Sequence, residues 1–199
     1  MALAQSTNLP PIFRPATPED GAHLVILADM ATRRLMSFLW GLAAMPGQSA
    51  CEVGRNIILH NEQHFTHFKN WRVAEHQGRI IGGLNCCVIA DMAGAPATTD
   101  VVKPLNELKA LASGTWYISS AAIFPEYQGK GYGKALLAEA QRLAISAKQS
   151  RLTLMVGSFN ERAHALYLQF GFREWARRPF TPFMGSDTPG EWILMVKDL

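Results

Sequence analysis

A glycine-rich segment at residues 128–134, Gln-Gly-Lys-Gly-Tyr-Gly-Lys, is the part of the sequence best suited to bind a ligand. It lies between a strand-forming run that ends at Pro125 and an apolar pattern with helical spacing that begins near Gly133. Such a loop exposes backbone amides at the positive end of a helix, where anions and especially phosphates bind. Glycine allows a positive φ there and lets a ligand approach the backbone without a Cβ in the way. Lys130 and Lys134 add positive charge.

Two common phosphate-binding loops do not fit this spacing. A P-loop needs Gly-x-x-x-x-Gly-Lys-Ser/Thr, but Gly129 and Gly133 are one residue too close, and Ala135 stands where the magnesium-binding hydroxyl belongs. A dinucleotide fingerprint needs Gly-x-Gly-x-x-Gly, and Lys134 or Leu136 would occupy its third glycine. These departures disfavour a kinase-like protein and an NAD-binding protein.

The cysteines predict neither a disulfide framework nor a metal site. The sequence has three cysteines, an odd number, at residues Cys51, Cys86 and Cys87. Two of them are adjacent, and no Cys-x-x-Cys spacing occurs. A reducing compartment is the simple interpretation, and we expect a cytoplasmic protein. A nucleophilic cysteine would need a partnering histidine or a helix N-terminus, and nothing in the sequence indicates one.

Length and charge indicate one soluble globular domain without a nucleic-acid or membrane partner. A chain of 199 residues can bury a core of its own. The net charge of +3 is small, and no clustered basic stripe indicates nucleic-acid binding. The most apolar segment, residues 23–45, is interrupted by Asp29, Arg33 and Arg34, which argues against a membrane span. Residues 1–11 lack the basic start and apolar run of a signal peptide.

Local patterns predict the elements that position the loop, and together they indicate an α/β (α+β) domain with a mixed sheet. We expect a hairpin turn at residues 77–78, and Asn160 can cap a helix that Gly171 ends. A surface insertion with some helix is expected at residues 93–113, and a flexible tail at residues 1–11. The predicted strands cover residues 12–14, 71–75, 79–89, 115–124, 151–156, 172–177 and 191–196. The predicted helical regions cover residues 17 to about 45, 52–63, 133–148 and 160–170.

The motif Gln-x-x-Gly-x-Gly at residues 128–133 resembles the signature of the GNAT superfamily of N-acetyltransferases, Gln/Arg-x-x-Gly-x-Gly/Ala. Residues 12–20, Ile-Phe-Arg-Pro-Ala-Thr-Pro-Glu-Asp, are similar to that family's opening strand and helix start. Residues 158–172, Ser-Phe-Asn-Glu-Arg-Ala-His-Ala-Leu-Tyr-Leu-Gln-Phe-Gly-Phe, are similar to its second conserved block. The resemblance is therefore discontinuous along the chain, and residues 40–69 carry no family signature.

The resemblance implies a single acetyltransferase domain over residues 12–199, with a mixed, mostly antiparallel sheet and helices on both faces. Its two central parallel strands, at residues 115–123 and 151–156, would splay apart, and the pantetheine arm of acetyl-CoA would lie in the gap. Pantetheine would pair with the backbone of Ala122 and Ile123. The resemblance implies that the pyrophosphate binds to the loop residues Gln128, Gly129, Lys130, Gly131, Tyr132, Gly133 and Lys134. It also implies that Asn160 lies near the coenzyme.

The resemblance also implies transfer of an acetyl group from acetyl-CoA to a primary amine of a small molecule or peptide, by direct attack on the thioester and without a metal. The backbone amide of Ile123 would stabilise the developing oxyanion. Tyr167 matches the position of the acid that protonates the leaving thiolate, although the residues alone also allow it to be a packing group in an apolar helix stripe. Glu62, His64 and His67 are candidate bases, and water is another.

A second function stays open at this point. The same fold can bind an acyl-CoA as a non-catalytic sensor or scaffold, and the lack of an obvious base in the predicted strand at residues 115–123 keeps that interpretation open. Fold and coenzyme are shared by enzymes with many acceptors. The resemblance therefore leaves open the acceptor, the acyl chain length and the choice between a monomer and a homodimer.

Overall fold

The computed structural model describes residues 10–89, 99–186 and 188–199. Seven strands lie within these ranges: β1 (Ile12–Pro15), β2 (Trp71–His76), β3 (Arg79–Val88), β4 (Trp116–Ile123), β5 (Arg151–Gly157), β6 (Arg173–Pro179) and β7 (Glu191–Asp198). They form one sheet with the order β1-β2-β3-β4-β5-β7-β6. Only β4 and β5 are parallel, and all other neighbours are antiparallel. The predicted single α+β domain with a mixed sheet is confirmed.

The same described ranges contain six α-helices. They are α1 (Gly21–Ala31), α2 (Leu35–Leu42), α3 (Ala50–His60), α4 (Lys103–Leu111), α5 (Tyr132–Ser146) and α6 (Glu161–Gln169). The helices predicted at residues 52–63, 133–148 and 160–170 correspond to α3, α5 and α6. Every predicted strand is present, because the alternating and β-branched patterns that indicate strands are local features of the sequence.

Helices cover both faces of the sheet. Val73 of β2 packs into a cluster with Leu27 of α1, whereas its neighbour Ala74 packs into a cluster with Leu136 of α5. Successive side chains of a strand point to opposite faces, so α1 and α5 lie on opposite sides. The sheet is therefore the middle layer of a three-layer domain, and its central strands are covered on both faces, whereas β6 at one edge is largely exposed.

The helical region predicted from residue 17 to about 45 is not one helix. The chain leaves helical geometry between α1 and α2, where Arg33 and Arg34 have φ values of +51° and +73°. The carboxylate of Asp29 in α1 accepts a hydrogen bond from the backbone amide of Ser37 in α2 at 2.8 Å. Asp29 thereby caps the second helix from the first, a contact between residues eight apart that the apolar spacing does not reveal.

The flexible tail predicted at residues 1–11 and the insertion predicted at residues 93–113 lie partly outside the described residues. The described part of the insertion contains α4, in the place of a predicted helical pattern. Leu108 of α4 is fully buried, in a cluster with Tyr117 of β4 and Leu194 of β7. This helix therefore closes part of the core above the sheet.

An ion cluster joins β1, the start of α1 and β2. The guanidinium of Arg14 donates two hydrogen bonds to the carboxylate of Asp20, at 2.7 and 3.0 Å, and one to Glu75 at 2.8 Å. Asp20 also accepts a hydrogen bond from the backbone amide of Thr17 at 2.8 Å. The side chain of Asp20 is only 6% exposed, and the hydrogen bonds from Arg14 are the main cause that holds the pKa of Asp20 below its usual range.

We expect Asp20→Asn to lower the free energy of unfolding by about 2 kcal/mol at pH 7, because Arg14 loses its more buried carboxylate partner. The lowered pKa means that the stabilisation by Asp20 is present above the unfolded pKa of about 4 and is lost as the pH falls through the folded pKa. The unfolding free energies of wild type and variant, measured in urea, should therefore begin to converge near pH 4 and become equal only below the lowered folded pKa of Asp20. Asp100→Asn, at an exposed carboxylate, is the control. A stability difference that does not change with pH would contradict this assignment.

Candidate active site

The two parallel strands separate before β4 ends. Residues 116–118 of β4 pair with residues 152–154 of β5, and β4 then continues to Ile123. Over the same stretch β5 stays paired with β7, as far as Gly157. The central strands therefore splay apart, as the resemblance implies, and the far half of β4 turns one backbone edge toward a gap.

A bulge in β4 marks the start of this gap. The register between β3 and β4 shifts beside Asn85, which leaves Ser119 as an extra residue in β4. The fully buried amide of Asn85 accepts a short hydrogen bond from the hydroxyl of Ser119 and donates one to the carbonyl of Phe65 at 3.0 Å. Because all three groups are paired, the bulge can remain in the core without an unsatisfied polar atom on Asn85.

Beyond the bulge, the backbone of Ile123 faces the gap. The amide of Phe124 donates to the carbonyl of Ile81 in β3 at 2.9 Å, and successive residues of a strand direct their backbone groups to opposite edges. The carbonyl of Ala122 lies on the β3 side, since a Cβ on Gly82 would come within 2.5 Å of it. Of the two residues predicted to pair with pantetheine, Ile123 presents its backbone to the gap and Ala122 presents it to β3.

The glycine-rich segment forms a tight loop at the start of α5. Gly129 and Gly131 have φ values of +79° and +84°, and Gly131 is the residue that precedes the first helical turn. The backbone itself requires glycine there, since other residues rarely adopt this conformation. The amides of Lys134 and Ala135 donate to the carbonyl of Gly131, at 3.0 and 3.4 Å, so an anion here would rely on the loop that precedes them and on the helix dipole. They lie at the positive end of a helix of 15 residues.

Gln128 connects this loop to the end of β4. Its side-chain amide donates a hydrogen bond to the carbonyl of Ile123 at 2.9 Å. Gly133 differs from Gly131 in its surroundings, because a Cβ there would lie 3.1 Å from a methyl group of Leu166 in α6, closer than ordinary van der Waals contact. The hydrogen bond from Gln128 fixes the loop to the strand, and the close approach at Gly133 shows that α6 lies directly against the start of α5.

The gap, the loop and α6 surround a cavity of about 630 Å³. It is lined by ten of the eleven residues predicted to bind the coenzyme or to act in catalysis. These ten are Ala122, Ile123, Gln128, Gly129, Gly131, Tyr132, Gly133, Lys134, Asn160 and Tyr167. Lys130 is the eleventh, and its ammonium group lies 5.5 Å from the ring centroid of Tyr127 instead.

Tyr167 reaches the cavity from α6. Its ring meets that of Phe172 edge to face, with the centroids 6.0 Å apart, after the chain reverses at Gly171. Tyr167 packs on the same core as Ala163 and Leu166, as the apolar stripe predicts. Burial raises the pKa of Tyr167 to about 12, so the phenol stays protonated at neutral pH.

Asn160 does not cap α6 with its side chain, so this part of the prediction is wrong. A capping residue is normally extended, whereas Asn160 has a ψ of only 60°. Its backbone amide instead donates to the carbonyl of Gly157 at 2.8 Å and closes a turn at the end of β5. The residue lines the cavity from the β5 side of the gap.

The three candidate bases lie away from the cavity. Glu62 pairs with Lys69 at 2.8 Å on the surface, Nδ1 of His64 lies 2.7 Å from the hydroxyl of Thr66, and His67 is buried. Among the described residues that line the cavity there is no carboxylate and no imidazole. The charged groups that line it are all cationic.

The sequence prediction missed the wall that the turn between α1 and α2 supplies. Met30 lines the cavity from the end of α1, Arg33 lines it from the turn itself, and Arg162 lines it from α6. One signal was present, because Arg33 and Arg34 interrupt an otherwise apolar segment. That interruption argues against a membrane span, but it also marks the turn.

The described ranges contain neither a membrane-spanning helix nor a cluster of metal ligands. No helix there is long and apolar enough to cross a membrane. The same residues contain no group of three or more histidines, cysteines or carboxylates placed to bind a metal. Cys86 is buried and Cys87 half-buried, and burial raises the pKa of both thiols. The groups that remain for chemistry in the cavity are backbone amides, cations and phenols.

Solved acetyltransferase structures share this fold over nearly the whole chain. One described as an acetyltransferase has a TM-score of 0.64 at 18% identity, and the match covers 94% of this chain and 98% of that one. A putative phosphinothricin N-acetyltransferase has a TM-score of 0.61 at 18% identity, with 95% and 98% covered. A ribosomal-protein-alanine N-acetyltransferase from Brucella melitensis has a TM-score of 0.60 at 18% identity, with 94% and 99% covered. At this identity the likeness concerns the fold alone.

The family follows from the sequence match. The model of the acetyltransferase (GNAT) family matches residues 38–172, which is more than half of the chain. The chain therefore belongs to the GNAT family of acetyltransferases, and acyl transfer is the activity that this family supports. No curated protein matches the sequence significantly.

We expect Asn85→Ala to lower the free energy of unfolding by about 2–3 kcal/mol, because it removes the bonds to both Ser119 and Phe65 and leaves the carbonyl of Phe65 with only the bond from the side chain of Asn70, at 3.1 Å. Ser119→Ala should cost only about 1 kcal/mol, because the bond from Asn85 to Phe65 remains. Urea denaturation measures both values, with Asn56→Ala on the exposed face of α3 as the control. Equal losses for the two core variants would show that the bulge does not depend on the buried amide.

Proposed function

We propose that this protein transfers an acetyl group from acetyl-CoA to a primary amine of a small molecule or peptide. The observation that supports this most directly is a single cavity shared by the open edge of β4, the amide-rich start of α5 and Tyr167. An extended pantetheine arm suits an open strand edge, a pyrophosphate suits a helix N-terminus, and a leaving thiolate suits a protonated phenol. Each feature alone is common, and their meeting in one cavity is what favours acetyl transfer.

In this proposal the β4 side of the gap holds acetyl-CoA. The backbone of Ile123 would pair with the pantetheine amides, and the loop that precedes α5 would bind the pyrophosphate together with the helix dipole, with Lys134 adding charge. The space beside the loop fits such a ligand, since a Cβ on Gly131 would meet no protein atom within 4 Å. Asn160 would face the coenzyme from the β5 side. When bound, acetyl-CoA supplies a thioester whose carbonyl an amine can attack while a thiolate departs.

The residues of the chain would then stabilise the charges that develop. The amide of Ile123 faces the gap and can donate to the developing oxyanion. Tyr167 can donate to the departing sulfur. With a pKa of about 12 the phenol is a weaker acid than a thiol, whose pKa is about 8.5. We therefore expect the hydrogen bond to the sulfur to contribute more than complete proton transfer.

The acceptor must lose a proton before it attacks, and we propose that water takes it. The described residues lining the cavity include no carboxylate or imidazole to do so. Neighbouring cations disfavour an ammonium group and thus lower the pKa of a bound amine. Arg33 and Arg162 would act in this way on an acceptor that enters the cavity. A dedicated base is then unnecessary, and the rate should rise with pH toward the pKa of the bound amine.

The same lack of a base favours one second candidate, a non-catalytic acyl-CoA sensor or scaffold. Such a protein would bind the coenzyme with the same loop and strand edge but would transfer no acetyl group to any amine. Substitution of Tyr167 would then leave its measurable properties unchanged.

We also propose that residues 12–199 make up one acetyltransferase domain, with residues 93–113 inserted in it. The support is that β1 pairs with β2 at one edge of the sheet, and β7 pairs with both β5 and β6 at the other. A cytoplasmic location stays a prediction that rests on the unpaired cysteines.

Thermal unfolding with added ligands tests the proposed coenzyme. Acetyl-CoA or CoA at about 100 times its Kd should add about 2.7 kcal/mol of stability and raise Tm by about 5–10 °C, whereas NAD and ATP should not. Gly131→Ala should raise the Kd of acetyl-CoA at least tenfold, because the new Cβ and the strained φ both disturb the anion site. Gly47→Ala is the matched control, since Gly47 has the same φ of +84° and equally open surroundings. A normal Kd for Gly131→Ala would overturn the assignment of this loop.

Tyr167→Phe tests the proposed acid. We expect kcat for amine acetylation to fall about 100-fold while the Kd of acetyl-CoA stays within twofold, because the hydroxyl would act only as the thiolate leaves. A pKa of about 12 also predicts no loss of activity from ionisation of this phenol up to about pH 10. Initial rates of thiol release across this pH range measure both effects. An unchanged kcat would reduce Tyr167 to a packing residue and favour the sensor.

A further inference from the structure

The turn between α1 and α2 holds two consecutive arginines in an unusual backbone conformation. Arg33 and Arg34 have φ values of +51° and +73°, a region that costs a residue with a side chain about 1–2 kcal/mol. Glycine would adopt it at a lower cost. Strained backbone conformations of this kind are found preferentially at binding and catalytic sites, and Arg33 lies at a cavity.

Arg33 lies on the β5 side of the gap. Its guanidinium is 5.3 Å from the ring centroid of Phe159, which follows β5. Phe159 in turn packs on Phe180 at 5.0 Å and on Trp192 of β7 at 6.0 Å. The glycine-rich loop instead follows β4. Since β4 and β5 diverge, the anion site proposed on that loop and the guanidinium of Arg33 belong to opposite walls of the same cavity.

Both arginines are free to bind an anion. Within the described residues, neither Arg33 nor Arg34 forms an ion pair, and no carboxylate lines the cavity that Arg33 faces. A guanidinium placed over an aromatic ring keeps its N–H edge available for two parallel hydrogen bonds to a carboxylate. Arg34 lies beside the loop between β6 and β7, because a Cβ on Gly185 would come within 3.8 Å of its Nε.

We infer that the acceptor is a small amine that also carries a carboxylate, and that Arg33 binds this carboxylate. Arg34 adds positive potential beside it. The inference rests on the proposed function, since it assigns the second substrate of the same cavity. In that proposal the coenzyme phosphates lie at the start of α5 and Asn160 faces the coenzyme, which leaves the part of the β5 side at Arg33 to the acceptor. A carboxylate fixed there orients the amine within the cavity, and a neutral amine lacks this anchor.

Acceptors offered in matched pairs test the inference. A panel of L-amino acids and the corresponding amino acid amides tests the carboxylate, and release of the CoA thiol reports initial rates. Because the amine of an amino acid amide also has the lower pKa, kcat/KM is compared per concentration of neutral amine. We expect kcat/KM to be at least tenfold higher for the acids. Arg33→Gln should lower kcat/KM for the acids about 100-fold and for the amides less than threefold, with the KM of acetyl-CoA within twofold. For the acids, the kcat/KM of Arg33→Lys should fall between those of wild type and Arg33→Gln, because lysine keeps the charge of arginine but not its planar pair of hydrogen-bond donors.

Arg55→Gln is the control for the loss of one charge, since Arg55 is an exposed arginine on α3. Glutamine at residue 33 meets the same left-handed backbone as arginine does, so the turn itself is not relaxed. Amides that are acetylated as well as the acids would overturn the inference. Acetyl-dephospho-CoA lacks the 3′-phosphate of acetyl-CoA. If Arg33→Gln raises the KM of acetyl-CoA but leaves the KM of acetyl-dephospho-CoA unchanged, Arg33 binds the coenzyme phosphate and the inference is overturned.

A second measurement separates failure of the inference from failure of the proposed function. Calorimetric titration of the CoA-loaded protein with N-acetyl amino acids and with their amides requires no turnover. If the acids bind, the amides do not, and Arg33→Gln abolishes the binding, the carboxylate site is supported whether or not any amine is acetylated. If in addition no amine is acetylated, the proposed function fails and the inferred site remains. Acetylation of neutral amines without dependence on Arg33 sustains the proposed function and overturns the inference. Absence of carboxylate binding in the titration overturns it as well.

Discussion

The parallel ladder between β4 and β5 ends after three residue pairs, and the remaining backbone of β4 needs other partners. The structure supplies them one by one. The bulge at Ser119 is held by the buried amide of Asn85, and the last carbonyl of β4 is taken by Gln128. What remains toward the gap is the amide edge around Ile123, bounded by the start of α5. An open strand edge of this kind can pair with an extended ligand as it would with another strand. The early end of the pairing between β4 and β5 therefore determines the shape of the cavity.

Charge in the cavity is one-sided. Lys134 lines the cavity from α5, Arg33 from the turn between α1 and α2, and Arg162 from α6. The described lining residues include no carboxylate. A positive field of this kind stabilises an oxyanion, a thiolate and bound phosphates together. It also disfavours an ammonium group, so any of these cations that a bound anion does not neutralise would help an acceptor to reach its neutral, reactive form. The neutral phenol of Tyr167 fits this field, because burial keeps its proton in place.

Features set by neighbouring residues could be predicted from the sequence. The glycine spacing placed the loop before α5, and the turn at Gln77 and Gly78 has the two positive φ values that its hairpin requires. Features set by distant side chains could not. The break after α1 depends on Asp29 reaching Ser37, and the bulge joins Asn85 to Ser119, 34 residues away. Arg33 could be recognised as an interruption of an apolar segment, but its place in the cavity depends on how the helices pack on the sheet.

The seam between β4 and β5 also divides the sheet according to the order of the chain. The strands β1 to β4 pair with sequential neighbours, so this half can assemble as the chain leaves the ribosome. The other half needs β7, the last strand, because β5 and β6 each pair with it and not with one another. The cavity spans both halves. It therefore forms only once β7 has been made, and a nascent chain cannot present it to a ligand from β4 and the glycine-rich loop alone.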